Sequence, residues 1–431
     1  MKRWISVSLL LCASLEAATI SQLLDSLKKQ PITQVDEMEA AYAKLAAQKV
    51  KDRFYPEASL FATYEHYSAP TNLRPMSPLE STPIMLGKKS GPLPFATTIE
   101  RLGGKVSMPI FVKSLFALSD KADAMAQSAA EKSKLNLLRN EAGLVGAVAS
   151  WRYMKALDKA IEGRIRSIEK MVEDMKIKVQ SGRAPGVALD KLNESLNRLE
   201  TAKNEVQIKV ADIQSRIEAL TGLRLQSPAP LAVKKVVERG ELFALKPLED
   251  LVAAKSHDVA AEKGKLYPQI GLSAMWSENY GQSALNPPTQ DSGDDVHRSY
   301  GNYMVGISMP IFSKPTYTEI QQAQIDYQKQ KFRLDQARQE LVSKADALRK
   351  SVKLYERSEK LAHKSVENQK SLLRYAKVAY EAGRLSEEEY LRYEEALLDA
   401  QSKEAEAMAK RRQSIAQLAV IYGVDLDEIF E

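Results

Sequence analysis

The chain repeats itself at long range. Ser-Met-Pro-Ile-Phe occurs at Ser107 to Phe111 and again at Ser308 to Phe312, an offset of 201 residues. The same offset carries Gly182-Arg183 onto Gly383-Arg384 and Gly222 onto Gly423. Three marks in one register mean two copies of one long unit, which share one architecture and pack side by side. Tyr55-Pro56 and Tyr267-Pro268 extend the repeat upstream at an offset of 212. The segment between the Tyr-Pro and Met-Pro marks therefore varies in length, as an exposed loop can.

Residues 113–180 and 314–381 lack proline after Pro315 and are crowded with Ala, Lys, Glu, Gln, Leu and Met, the strong helix formers. Each run predicts a helix of about 100 Å at ~1.5 Å per residue, which has to pack lengthwise against other helices. The runs end at Gln180-Ser181-Gly182-Arg183-Ala184-Pro185-Gly186 and at Tyr380-Glu381-Ala382-Gly383-Arg384-Leu385-Ser386. At each break glycine stops the helix and Pro or Ser starts the next. Ser386 with Glu389 makes a capping box. The returning helices run to Gly222 and Gly423, about half the length of their partners. Helices over Ser21 to Phe54 and Leu242 to Lys265 nearly supply the missing length, so two short helices are expected to stack end to end beside each long one.

Four short segments alternate with period two. Ala58, Leu60, Ala62 and Tyr64 form one apolar set, with Phe61 breaking the alternation. Ile270, Leu272, Ala274 and Trp276 form the second, Tyr303, Val305, Ile307 and Met309 the third, and Leu102, Val106 and Met108 the fourth, with Arg101, Lys105 and Ser107 opposite. Strands of ~10 residues with one greasy and one wet face fit a transmembrane barrel. Four strands cannot close one. The connections Ser68 to Thr98 and Glu278 to Ser299, rich in turn formers, read as exterior loops.

The start, Met1-Lys2-Arg3, an apolar run from Trp4 to Cys12, then Ser14-Leu15-Glu16-Ala17-Ala18, reads as an export signal with the mature chain beginning near Ala18 or Thr19. Cys12, the one cysteine, leaves with it and no disulfide is expected. The implied organisation is a signal over 1–18, a first repeat over 19–222, an equatorial linker over 223–246, a second repeat over 247–423 and a tail over 424–431. Net charge is +6 with lysines and glutamates interspersed, which gives no basic patch for nucleic acid. His66, His257, His297 and His363 lie far apart and form no ligand-spaced cluster. No phosphate loop or nucleophile elbow is present, so no enzyme activity, cofactor or metal is expected.

The ordered and duplicated motifs resemble the TolC family of outer membrane efflux and secretion channels. They are Tyr-Pro before a strand, Met-Pro-Ile-Phe before a very long helix, Tyr380-Glu381-Ala382-Gly383 at a turn, and the closing Thr221-Gly222 and Tyr422-Gly423. The resemblance implies a mixed α/β membrane protein, a homotrimer with four strands per chain in a shared 12-stranded barrel and a periplasmic α-helical barrel. It implies passive export of small molecules such as drugs through the outer membrane of a Gram-negative bacterium. An inner-membrane transporter of RND or ABC type would join through a periplasmic adaptor, with outer membrane lipid around the barrel.

Type I protein secretion and metal efflux remain alternatives. A periplasmic adaptor or a structural coiled-coil protein is more distant, since an adaptor would carry a lipoyl-like β domain and a single hairpin. The resemblance makes Tyr380, Glu389 and Arg392 the gate. Arg392 stands where the family pattern has a second acid, and an i,i+3 pair with Glu389 would weaken the cation selectivity of a carboxylate ring. The adaptor is expected at the two turns, Gly182, Arg183, Ala184 and Pro185, and Gly383, Arg384, Leu385 and Ser386. Pro56, Pro109, Pro268 and Pro310 are expected to mark strand–helix transitions.

Overall fold

The computed structural model describes residues 18–88, 93–283 and 295–431. The export signal with Cys12, and the turn formers Pro92, Pro287, Pro288 and Asp294, lie outside the described residues. In chain order the elements are α1 (Ile20–Lys28), α2 (Pro31–Asp52), β1 (Glu57–Asn72), α3 (Pro78–Met85), β2 (Phe95–Val112), α4 (Lys113–Gln180), α5 (Gly186–Thr221), α6 (Lys246–Gly264), β3 (Gln269–Gln282), β4 (Asp295–Ser308), α7 (Lys314–Glu381) and α8 (Glu387–Tyr422). Both ends of α4 and α5 map onto both ends of α7 and α8 at the 201-residue offset read from the sequence.

Three local expectations need correction. The single helix over 21–54 is two. Thr19 and Gln22 form a capping box that starts α1, and α2 begins at Pro31, where proline's fixed φ suits a first helical position and its missing N–H costs nothing. The strands are longer than ten residues, at 16, 18, 14 and 14. They extend into the segments read as loops, and α3 occupies part of the first of these. Pro109 is no strand–helix transition: it lies inside β2, at a register shift between Pro109 and Phe111, the kind of irregularity that accommodates a residue without an N–H donor. Pro56 and Pro268 directly precede β1 and β3, and Pro310 lies between β4 and α7.

The chain divides into two compact units, one of residues 42–127 and 250–331, the other of the remainder. In the first, the strands form an antiparallel sheet in the order β1-β2-β3-β4. Its helical segments are tied in pairs. Phe54 packs on Phe116 with ring centroids 4.9 Å apart, and Lys51 meets Asp123 at 2.8 Å. Lys121 meets Asp258 at 2.6 Å, and Lys265 meets Glu319 at 3.0 Å.

In the second unit, α5 packs on α4 through Ile161, Ile165 and Val206, and α8 packs on α7 through Ala345, Leu418 and Ile421. The main core gathers Leu23, Leu24 and Leu27 of α1, Leu138, Leu144, Val148 and Trp151 of α4, and Leu426, Ile429 and Phe430 of the last residues. The end of α5 abuts the α1–α2 break, where Ser26 Oγ and Gln30 Nε2 both donate to the Thr221 carbonyl at 2.7 Å. Those bonds satisfy a carbonyl that the helix end leaves open. They also supply the end-to-end stacking that the helix lengths require.

The C-terminal tail is part of the structure. Val233 and Phe430 form an antiparallel bridge, with Ala232 N donating to Glu431 O and Lys234 N to Ile429 O, both at 2.7 Å. Against it lies Glu141 of α4, only 2% exposed, with Lys28 Nζ 3.9 Å away and itself 2.6 Å from Asp427. Burial is the main cause that pushes the Glu141 carboxyl up to about 7, against the pull of Lys28. A carboxyl whose folded value is raised stabilises the fold below its unfolded value near 4.5, and loses that stabilisation as pH rises through 7. Glu141→Gln is therefore expected to gain about 1–3 kcal/mol relative to the parent between pH 5 and pH 8. Chemical denaturation at the two pH values measures it, and a constant difference would contradict the burial effect.

Candidate functional site: the two-faced sheet and the helix tips

The strand register sorts the side chains into two faces. Met108, Leu272 and Val305 are opposite one another, as are Ala58, Val106, Ala274 and Tyr303, and Ile270 pairs with Ile307. Leu60, Gly104, Trp276 and Gly301 form the next row, followed by Ala62, Leu102, Glu278 and Ser299 and then by Tyr64, Glu100, Tyr280 and His297, so this face turns polar toward the β1–β2 and β3–β4 connections. The apolar sets read from the sequence thus share one face, apart from Met309, which lies just beyond β4, because residues directly across an antiparallel pair point the same way. That face is uncovered: Leu60 is 89% exposed and Ile307 71%.

The opposite face is polar. Its rows contain Glu57 and Ser107, Ser59 and Lys105, and Thr63, Arg101, Asn279 and Arg298. Arg101 joins three segments, 3.1 Å from Glu65, 3.1 Å from the Asn279 side chain and 2.8 Å from the Leu73 carbonyl. Phe61, the one break in the first alternation, lies opposite Gly103. A Cβ on Gly103 would fall 2.9 Å from the Phe61 ring, so the aromatic ring covers a position that glycine leaves open. Among the described residues both outer strands, β1 and β4, have one edge without a partner, which leaves a row of backbone donors and acceptors on each.

At the ends of the long helices the two turns have the same geometry. Gly182 and Gly383 are left-handed at φ 70° and 67°, a conformation that glycine takes without the penalty of a Cβ. Arg183 N donates to Lys178 O and Arg384 N to Ala379 O, both at 2.8 Å, closing each long helix with a Schellman turn. Arg183 and Arg384 are exposed, with Ala184 and Leu385 half-buried. Pro185 and Ser386 occupy the N-caps of α5 and α8.

The structure brings the three sequence-derived gate residues to one hairpin but connects them differently from the expected pairing. Tyr380 stacks on Tyr390 at 5.2 Å, linking α7 to α8. Glu389 is bound in its capping box, accepting from Ser386 N and Ser386 Oγ at 2.9 Å. The Ser386 amide, first, and its hydroxyl hold the Glu389 carboxyl below its ordinary value. Arg392 pairs with Glu388 at 2.7 Å, four residues back, so the expected Glu389–Arg392 pair is replaced. An i,i+4 acid was available to the guanidinium and the i+3 acid was already bound by the helix start.

Further along the same hairpins, Arg164 of α4 reaches Glu395 at 3.0 Å and Asp399 at 3.1 Å on α8, and Arg166 reaches Glu394 at 3.8 Å. These bridges between the repeats were not read from the sequence. Their one trace there is a pair of arginines in the first repeat and a set of acids in the second, whose proximity only the fold creates.

The histidines stay apart: His363 lies 2.7 Å from Glu404, His66 3.1 Å from Thr98, His257 3.9 Å from Asp120, and His297 beside Glu278. Among the described residues no group of three or more His, Cys, Asp or Glu could hold a metal ion, and no helix is long and apolar enough to cross a membrane.

Comparison with known proteins agrees with this geometry. The family model described as outer membrane efflux protein matches residues 243–424. Among solved structures, a membrane protein from Pseudomonas aeruginosa superposes with a TM-score of 0.73 at 13% identity, covering 96% of this chain and 92% of that one. The outer membrane protein VceC from Vibrio cholerae gives 0.70 at 14% identity, covering 94% and 97%. The open state of the Neisseria gonorrhoeae MtrE outer membrane channel gives 0.69 at 13% identity, covering 95% and 90%. No curated protein sequence matches the chain significantly. The mixed α/β chain, with its four-stranded sheet and long helices, has the fold of a protomer of these channels, as the motif resemblance implied.

Proposed function

We propose that this chain, which has the fold of the TolC-like outer membrane channels, is the exit duct of a tripartite export system. It assembles as a homotrimer in the outer membrane of a Gram-negative bacterium and extends into the periplasm. The observation that carries the reading is the two-faced sheet with two open edges. A sheet greasy on one side and polar on the other has the pattern of a lipid-facing barrel wall with a wet lumen, and its edges are satisfied only when the barrel closes. Three copies supply twelve strands. Reconstitution in a planar bilayer tests the reading: discrete ohmic conductance steps are expected, and their absence from protein that inserts would contradict it.

Export on this reading is passive, as the family resemblance implies. An inner-membrane transporter of RND or ABC type supplies the energy, and small molecules such as drugs are the cargo. The 182–185 and 383–386 turns are the contacts for the periplasmic adaptor. Their exposed arginines and shared glycine geometry support that assignment. Photocrosslinkers at positions 183 and 384 should capture the adaptor, and labelling of both positions by extracellular reagents alone would reverse the orientation.

Tyr380, Glu389 and Arg392 form the gate region. Arg392→Asp removes the partner of Glu388 and adds a carboxylate, a change of two charges per chain around a symmetric constriction. Reversal potentials in a salt gradient should shift toward stronger cation preference. Unchanged potentials would mean that this helix face is turned away from the lumen.

A further inference from the structure

A groove of about 460 Å³ lies between α4 and α8, lined by Arg152, Lys155 and Lys159 on one side and Gln401, Met408 and Arg412 on the other. No carboxylate lines it. The spacings of three and four place each set on one helix face. Ala156 and Ala405 leave the floor open, and Ser227-Pro228 border it.

This arrangement departs from how the chain treats its other helix cations. Lys360, Lys377, Arg392, Lys403 and Lys410 each have an acid four residues away within ion-pair distance. Arg152, Lys155 and Lys159 have none at four residues in either direction. Lys155 and Lys159 are themselves an i,i+4 pair of like charge, which costs helix stability unless something negative lies against it. Two acids stand three residues on, Asp158 from Lys155 and Glu162 from Lys159; neither lines the groove, and Glu162 is within 3.6 Å of Lys203.

Arg412 adds a second line of evidence. Its Nε is buried with no hydrogen-bond partner, and a buried donor left unpaired is costly. Glu359, the acid that could have served it, bonds Arg411 at 2.8 Å. Burial first, and then the neighbouring Arg152 charge, lower the Arg412 value from its ordinary one. Arg152 spends one donor on the Ala229 carbonyl at 3.2 Å and keeps the rest of its fork. Two guanidiniums and two ammoniums around one groove form the donor set that recognises a multivalent oxyanion, the guanidiniums by paired hydrogen bonds.

We propose that the groove formed by Arg152, Lys155, Lys159 and Arg412 is a binding site for a soluble phosphate-bearing anion. Occupancy would supply the missing partner of Arg412 and relieve the Lys155–Lys159 repulsion, so the bound anion also clamps α8 onto α4. The site is independent of the channel reading.

Titration calorimetry of the full-length, detergent-solubilised protein with inorganic pyrophosphate tests it. One saturable site per chain is expected, weakening steeply with added salt. Affinity should fall at least tenfold in Lys155→Gln/Lys159→Gln, whose exposed side chains can be changed without loss of packing, and at least as much in Arg412→Gln. Pyrophosphate should raise the melting temperature of the parent and leave that of the lysine double variant unmoved. Absence of saturable binding, or equal affinity in the lysine double variant, would overturn the site. Tighter binding of citrate than of pyrophosphate would overturn the phosphate assignment.

Discussion

Arginine at both Leu60 and Val305 is expected to abolish stable insertion into the outer membrane. Both residues lie on the exposed apolar face, Leu60 in the row of Trp276 and Val305 in the row of Leu272. An arginine facing lipid near mid-depth costs about 2–4 kcal/mol, and every chain of the assembly would bear two. The long helices draw on separate contacts, so helical content should persist while the protein leaves the membrane fraction. The control is the other face: Ser59→Arg and Asn302→Arg, in rows with Lys105, should leave insertion intact. Membrane fractionation of the two double variants reads the result. Equal insertion of both would mean that the sheet does not face lipid on its apolar side.

The second large effect concerns the proposed gate region. Arg164→Ala with Arg166→Ala removes the bridges from α4 to Glu395, Asp399 and Glu394 on α8, and leaves the two hairpins joined by contacts nearer the main core, such as Gln413 Nε2 donating to Ser150 Oγ at 2.8 Å. Partly exposed pairs are each worth about 0.2–1 kcal/mol, but the loss would be repeated in each chain of a symmetric assembly. Since about 1.4 kcal/mol is a factor of ten in an equilibrium, resting conductance in planar bilayers should rise at least tenfold. The Tyr380–Tyr390 stack within the second hairpin is retained in this variant, so the hairpin tips should separate as intact bodies. A resting conductance equal to that of the parent would show that these bridges do not hold the gate.

Much of the fold was legible because its rules are local and repeated. Glycines at 182, 222, 383 and 423 stop helices through positive φ, and the duplication printed each stop twice. The faces of the sheet were legible because a period of two leaves one choice of side, so the four apolar sets met on one face once the register was set. Pro109 misled because a proline ends a strand only where its missing donor matters, and the bulge at that point removes the requirement. The Arg392 pairing was misread although the capping box was legible: the box takes up the Glu389 carboxylate and leaves Glu388, four residues back, to the guanidinium.

What remained hidden depends on segments far apart in sequence. Glu141 reads as an ordinary helix acid until the last residues bury it beside Asp427, and its raised value comes from that burial. The tail over 424–431 has too few residues to announce a core role. Phe430 is fully buried in the main core, while its backbone bridges Val233 of the linker. The cationic groove needs α4 and α8 side by side before its missing acids become visible. The gate residues came from family resemblance, and the structure adds the contacts through which each would act.

If one chain supplies a third of a closed barrel, the detergent-extracted particle has the mass of three chains. The chain has a mass of 48.0 kDa before any processing. Native mass measurement should find particles of three chains that resist dilution, as closure of every β1 and β4 edge requires. A stable single chain, or a particle whose chain number is other than three, would contradict the account.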